Sequence, residues 1–215
     1  MNCASQFKSI KNSIPSSVEI VVVTKTVSVD SIQAVIDAGA TAIGENRVQE
    51  AVEKFPQLVF GQAKRHLIGH LQSNKVNHAV KTFDVIESID SESLLLKLDT
   101  AAQKISKTLE GLIQVNTAND EDKFGMSISE FYNLTEKGVL NRCEWLSIRG
   151  IMVIAPLGLS HSELRHFFKK SREHYDWFCQ KFPQADILSM GMSQDYQIAI
   201  EEGSTMVRIG SKIFK

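Results

Sequence analysis

The sequence predicts an α/β fold, a (β/α)8 barrel of the TIM type with an extra N-terminal helix, and three observations lead there. Apolar, β-branched runs alternate with segments of helical period, the pattern of parallel strands joined by crossover helices. Eight such runs can be counted, near residues 19 to 25, 42 to 46, 65 to 69, 84 to 89, 111 to 116, 147 to 153, 187 to 191 and 205 to 209. The residues at their carboxyl ends are rich in chemistry, as the working rim of a barrel must be. They are Lys25; Gly44, Glu45 and Asn46; Gly69 and His70; Asn116; Met152; Met190 to Ser193; and Arg208 to Ser211. The rival arrangement is a doubly wound open sheet.

Taken in chain order, residues 1 to 14 form the extra helix, and the run Glu19 to Lys25 is the first strand. The helix after it places Val29, Ile32, Val35 and Ile36 on one face and stops at Gly39, a residue suited to the left-handed turn that ends helices. Pro56 follows the next helical stretch, where its missing amide hydrogen does little harm. Leu94, Leu95, Leu98 and Ala102 repeat at helical spacing behind Asp90, and Leu164, Phe167, Phe168, Ser171 and Tyr175 do so behind Ser160. Ser160 and Glu163 make a capping box, and Pro183 marks the end of that helix. With no internal repeat, low-complexity tract or linker, residues 1–215 are read as a single domain.

Composition narrows the function classes. A chain of 215 residues with 43% hydrophobic content can bury a large core without disulfides or metals. The net charge of -1 and interleaved charges give no basic surface for nucleic acid. No apolar run approaches the roughly 20 residues of a membrane span, and Asn2, Gln6 and Lys8 precede any apolar stretch, so a cytoplasmic protein is expected. Cys3, Cys143 and Cys179 are odd in number and widely spaced, which fits reduced structural thiols. His66 and His70 stand four apart, but Gly69 intervenes and no HExxH glutamate is present, so no metal site is expected.

Lys25 carries the chemistry. An amine at the end of the first strand is a candidate Schiff-base former, though it must lose a proton from a reference pKa of about 10.4, which burial at the barrel mouth would favour. The loops after the seventh and eighth strands are where barrels often hold phosphate. Here they read Gly191-Met192-Ser193 and Arg208-Ile209-Gly210-Ser211, with glycines that admit close backbone approach and serines that offer hydroxyl and amide donors. In a closed barrel the eighth strand lies about 4.8 Å from the first, so amine and cradle are neighbours. A phosphorylated aldehyde fits such a site. Each residue also has a plainer reading: Lys25 snorkelling to solvent, Ser193 capping a helix that begins at Gln194 and Asp195, Asn46 capping one that begins at Arg47. Likewise, His66 reads as a packed core histidine, Arg208 as a strand-end ion-pair partner, and Met190 and Met192 as apolar filling. Asp195 near the cradle weakens its attraction for an anion.

The segments Val22-Val23-Thr24-Lys25-Thr26, Ile43-Gly44-Glu45-Asn46-Arg47-Val48-Gln49-Glu50, His66-Leu67-Ile68-Gly69-His70-Leu71-Gln72-Ser73-Asn74-Lys75, Lys123-Phe124-Gly125, Arg149-Gly150-Ile151-Met152, Leu188-Ser189-Met190-Gly191-Met192-Ser193 and Gly203 to Ser211 resemble the pyridoxal phosphate homeostasis protein family. The likeness runs in order almost from end to end, with His70 a departure where many members carry proline. That family resembles the barrel half of alanine racemase, a fold-type III enzyme, without its second domain. The resemblance implies a protein that buffers or delivers pyridoxal 5'-phosphate, acts in vitamin B6 homeostasis and amino-acid balance, and has no established catalytic reaction. Carried over by position, Lys25 would hold the cofactor as a Schiff base, Ser193, Gly210 and Ser211 would bind phosphate, and Asn46 and His66 would line the ring. Arg208 would face the pyridine nitrogen and keep it unprotonated, which makes a poor electron sink. The resemblance favours a monomer or weak dimer whose partners are pyridoxal phosphate and apo pyridoxal phosphate enzymes; whether Lys123 binds the cofactor a second time is not read from the sequence.

The alternative is a racemase-like enzyme of the same cofactor class, or a lysine aldolase. Racemisation needs acid and base groups on both faces of the substrate carbon. Lys25 serves one face, but Tyr132, Tyr175 and Tyr196 all fall in predicted helices, so no tyrosine is placed for the other and no catalytic residue is assigned.

Overall fold

A computed structural model describes residues 2–118 and 124–215. Lys123 lies outside the described residues. The order is α1 (Cys3–Ser13), β1 (Glu19–Val23), α2 (Val29–Asp37), β2 (Ala42–Glu45), α3 (Val48–Lys54), β3 (Lys64–Leu67), α4 (Val76–Thr82), β4 (Val85–Ile89), α5 (Glu92–Lys104), β5 (Leu109–Gln114), α6 (Ile128–Glu136), β6 (Leu146–Met152), α7 (His161–Lys181), β7 (Ile187–Met192), α8 (Tyr196–Glu201), β8 (Met206–Ile209) and α9 (Ser211–Phe214). All eight expected strands are present, every pairing is parallel, and β1 pairs with both β2 and β8. The sheet is therefore a closed barrel rather than the open alternative.

Two layers of apolar side chains hold it together. Val21, Ala42, Leu112, Met152 and Met206 come from five strands and cluster in the barrel interior. Their strand neighbours, among them Val22, Ile43, Leu67 and Ile113, face outward and pack under the helices. The stripes read from the sequence supply the other side of this layer: Ile32 and Val35 on α2, Leu94, Leu95 and Leu98 on α5, Phe168 and Phe178 on α7 are buried. Each fully buried side chain of this size contributes about 1.5–3 kcal/mol.

Helix boundaries follow local chemistry. Ser160 and Glu163 form the reciprocal capping box expected for α7. Gly39 has φ +95° just past α2, the left-handed conformation that ends a helix. The cap of α5 is Ser91, whose hydroxyl accepts from the Leu94 amide. Pro56 sits inside a short 3-10 turn, Phe55–Gln57, that closes the α3 segment. The three cysteines are unpaired and half-buried, and burial with the charge of Asp99 pushes the Cys143 thiol up to about 11. No helix among the described residues is long and apolar enough to cross a membrane.

Candidate functional site

Strand β1 pairs only to Val23, so Lys25 stands two residues beyond it instead of closing it. The reason is a turn: the Val27 amide donates to the Thr24 carbonyl at 3.0 Å, and Thr26 adopts φ +61°. That is a strained conformation for a β-branched residue, at a cost of order 1–3 kcal/mol. The turn is held from outside the barrel. Buried Glu45 accepts from the Thr24 hydroxyl at 2.8 Å and from Lys54 Nζ at 2.9 Å, and Lys54 Nζ also donates to the Thr24 carbonyl at 3.1 Å. Thr24 thus points outward and is fixed, while Lys25 points to the mouth. Contrary to the expected burial, Lys25 is exposed, because it projects past the last strand pair into an open cavity. Among the described residues its amine has no hydrogen-bond or ion-pair partner.

That cavity, about 380 Å³, is lined by Lys25, Ser193, Arg208, Gly210 and Ser211, together with Val23, Met192, Asp195 and Lys215. Five of the seven site residues read from the sequence therefore converge. A second space of about 680 Å³, between the start of α1 and α9, also reaches Lys25, Gly210 and Ser211. A cleft of about 690 Å³ between α4 and α5 lies on the outer helical face, away from this rim.

The cradle is built by two loops that touch. Ser193 is buried, and its hydroxyl accepts from the Gly210 amide at 3.2 Å, which ties the end of β7 to the end of β8. It does not cap α8, which starts only at Tyr196. Asp195 stands just before that helix, and one of its oxygens accepts from the Met192 amide at 2.6 Å. Gly191 lies near the end of β7, where the pairing register with β8 shifts; it has φ +94°, and a Cβ there would fall 2.6 Å from the Ala199 Cβ, so only glycine fits. Ser211 is exposed and opens α9, where the first amides have no intrahelical partner.

Arg208 is not a strand-end ion-pair partner. Its side chain is buried inside the barrel, where Nη1 donates to Ser189 Oγ at 2.6 Å and Nη2 to the Val153 carbonyl at 2.8 Å. Burial lowers its proton affinity, and the charges of Glu87 and Asp195 oppose that.

His66 and Asn46 do not line this cavity. His66 is buried on β3 with Nδ1 2.8 Å from Glu87 Oε1, and it borders a space of about 230 Å³ at the opposite mouth. Asn46 lines a separate pocket with Gly69, His70 and Lys75; its Oδ1 is buried without a hydrogen-bond partner, and it does not cap α3, whose cap position is Arg47. His70 bonds Asp90 through Nδ1 at 2.8 Å and stacks on Phe124. Among the described residues no group of three or more His, Cys, Asp or Glu side chains could hold a metal.

Sequence reasoning missed several contributors. Glu87 and Ser189 are fully buried polar residues in central parallel strands, and a carboxylate amid Val85, Ile86 and Ile89 was the available signal. Glu45 was noted for its place on the rim but not for its bond to Lys54, which only the fold reveals. Lys215 carries no motif.

The fold is a parallel eight-stranded barrel with an exposed amine after its first strand and serine hydroxyls after its last two, and known proteins of the same class share it. Residues 2–215 match the family described as alanine racemase, N-terminal domain. Alanine racemase of Clostridium difficile 630 shares the fold, with a TM-score of 0.76 at 14% identity over 99% of this chain and 56% of that one. The pyridoxal phosphate homeostasis protein of Vibrio alginolyticus is 39% identical over 93% of this chain and 87% of its own length. PipY of Synechococcus elongatus PCC7942, in its structure with PLP bound, superimposes with a TM-score of 0.92 at 34% identity, covering 99% of this chain and 100% of that one. The chain belongs to the pyridoxal phosphate homeostasis protein family.

Proposed function

We propose that this protein binds pyridoxal 5'-phosphate, holds it as a Schiff base on Lys25, and serves cofactor homeostasis without a catalytic turnover of its own. The observation that carries this reading is the convergence of an exposed, unpartnered amine with the Ser193 and Ser211 hydroxyls, Gly210 and the buried Arg208 guanidinium around one cavity. The residues present fit the group. When bound, the cofactor supplies an aldehyde that a primary amine takes up reversibly with loss of water, on an electron-poor ring. The Ser193 and Ser211 hydroxyls would hold its phosphate, a dianion that suits such donors, while the Gly210 amide donates to Ser193 Oγ and fixes that hydroxyl. The permanent charge of Arg208 would face the ring nitrogen and disfavour its protonation. Asn46 and His66 lie outside this cavity, so they are given no direct contact with the ring.

The racemase-like reading has less support. Tyr132 bonds His174 on the outer helices, and neither Tyr175 nor Tyr196 lines the Lys25 cavity, so the second acid or base that racemisation needs is not supplied by a tyrosine. Within this reading, residues 1–215 act as one cofactor-binding domain in the cytoplasm, as a monomer or weak dimer. Its partners are apo pyridoxal phosphate enzymes that receive the cofactor.

Pyridoxal phosphate added to the apoprotein, followed by borohydride reduction and peptide mass mapping, tests this. A reduced adduct on Lys25, with visible absorbance lost in Lys25→Ala, is expected. Absence of any adduct, or undiminished uptake by Lys25→Ala, would overturn the reading, and steady racemisation of an amino acid by the pure protein would restore the enzyme alternative.

A further inference from the structure

Glu87 sits in the middle of β4, fully buried inside the barrel, where an ionised carboxylate is tolerated only if it is paired and hydrogen-bonded. Both its oxygens are engaged. Oε1 is 2.8 Å from His66 Nδ1, and Oε2 accepts from the Ser189 hydroxyl at 2.7 Å. Ser189 Oγ in turn accepts from Arg208 Nη1 at 2.6 Å. A continuous bonded chain therefore runs from β3 through β4 and β7 to β8, and its last member lines the Lys25 cavity. The ionisable groups facing Glu87 are His66 and Arg208, while Asp195 faces Arg208 from the loop after β7. Burial pushes the Glu87 carboxyl up, but the His66 bond, the charges of His66 and Arg208 and the Ser189 bond outweigh it and hold the group below its ordinary range.

We propose that Glu87, acting through the Ser189 hydroxyl, is the positioning residue and counter-charge for Arg208, and so sets the proton affinity of the cofactor bound in the Lys25 cavity. This inference rests on the cofactor reading above. Arg208 stays charged at every accessible pH, so its effect on a bound ring depends on how much of that charge is balanced and where the guanidinium is held. The Ser189 hydroxyl fixes both: it donates to the carboxylate and accepts from the guanidinium, so neither can turn without breaking the other's bond. Among the described residues Arg208 has no direct ion pair, which leaves this relay as its closest compensation. Removing the carboxylate would leave a net positive charge beside the cavity, and protonation of anything bound there would become harder.

The test uses the full chain loaded with pyridoxal phosphate, as the unsubstituted protein, Glu87→Gln, Glu87→Asp and Ser189→Ala. The visible band of the lysine adduct is followed against pH, alongside the dissociation constant and the borohydride adduct on Lys25. Glu87→Gln is expected to lower the titration midpoint by about one pH unit and to weaken binding by roughly 3- to 10-fold, with the Lys25 adduct retained. Ser189→Ala should move the midpoint the same way by less, and Glu87→Asp should restore part of it. Should Glu87→Gln fail to fold, Ser189→Ala decides. Weaker binding with unmoved midpoints would mean a merely structural role and would overturn the inference. No adduct on the unsubstituted protein would bring down the cofactor reading and this inference together, whereas adducts with unmoved midpoints bring down this one alone.

Discussion

At the amino-terminal mouth of the barrel nearly every charge has a partner, whereas at the carboxyl-terminal mouth an amine and several donors face open space. Lys64 pairs with Glu110 at 2.7 Å, Glu110 with Arg149 at 2.9 Å, and Arg149 with Asp186 through two nitrogens. Beside them Arg65 grips Asp84 through Nε and Nη2, and Lys107 adds a second cation. At the other end Lys25 is exposed and Ser211 is open to solvent. Saturated contacts serve stability, and in the proposed reading the unsaturated ones take up the cofactor. The same eight strands thus separate the two tasks by direction, as parallel barrels do.

The contrast can be broken most sharply at Lys25. Lys25→Ala should abolish covalent cofactor uptake, read by mass spectrometry, while changing unfolding free energy by less than about 0.5 kcal/mol, since an exposed side chain without partners contributes little. A large loss of stability would show that the two mouths are not divided in this way. Gly191→Ala strikes the cradle through its backbone: φ +94° and the clash with Ala199 should cost about 1–3 kcal/mol and reduce cofactor affinity together, measured by denaturant unfolding and by equilibrium binding.

At the opposite mouth the prediction inverts. Burial pushes the Asp84 carboxyl up, but the Arg65 hydrogen bonds and the charges of Arg65 and Lys107 outweigh it, so the folded group sits below its ordinary value. A lowered folded pKa gives stability that is present above the unfolded pKa of about 3.9 and is lost as pH falls through the folded value. Asp84→Asn should therefore cost about 2 kcal/mol at neutral pH, flatten the acid limb of the stability profile below about pH 4, and leave cofactor uptake intact. Thermal unfolding across pH with parallel loading assays checks all three. The smallest effect is at the edge of the carboxyl-terminal mouth, in the loop after β6: Ser160→Ala removes the α7 cap and should cost about 1 kcal/mol with loading nearly unchanged.

The barrel was legible because its strands are β-branched runs bounded by helical stripes, two periods that backbone geometry cannot interchange. Strand ends were less so. Lys25 belongs by composition to the run before it, yet the turn stabilised by Lys54 and Glu45 ends pairing at Val23. The 3-10 segments Ser73–Lys75 and Leu140–Arg142 carry too few residues to show a period. Of the candidate site, the rim residues could be read from their place after each strand. The relay through Glu87 and Ser189 could not, because it joins residues 102 apart in the chain through a barrel interior that exists only after closure.

The openness around Lys25 has a cost that the buried residues escape. A primary amine with nothing over it is available to any small carbonyl compound or acyl donor in its surroundings, so adventitious blocking of this one nitrogen would silence the protein while leaving its shape intact. Keeping the position filled would then be a form of protection, and the loaded protein should resist amine-directed reagents that inactivate the empty one.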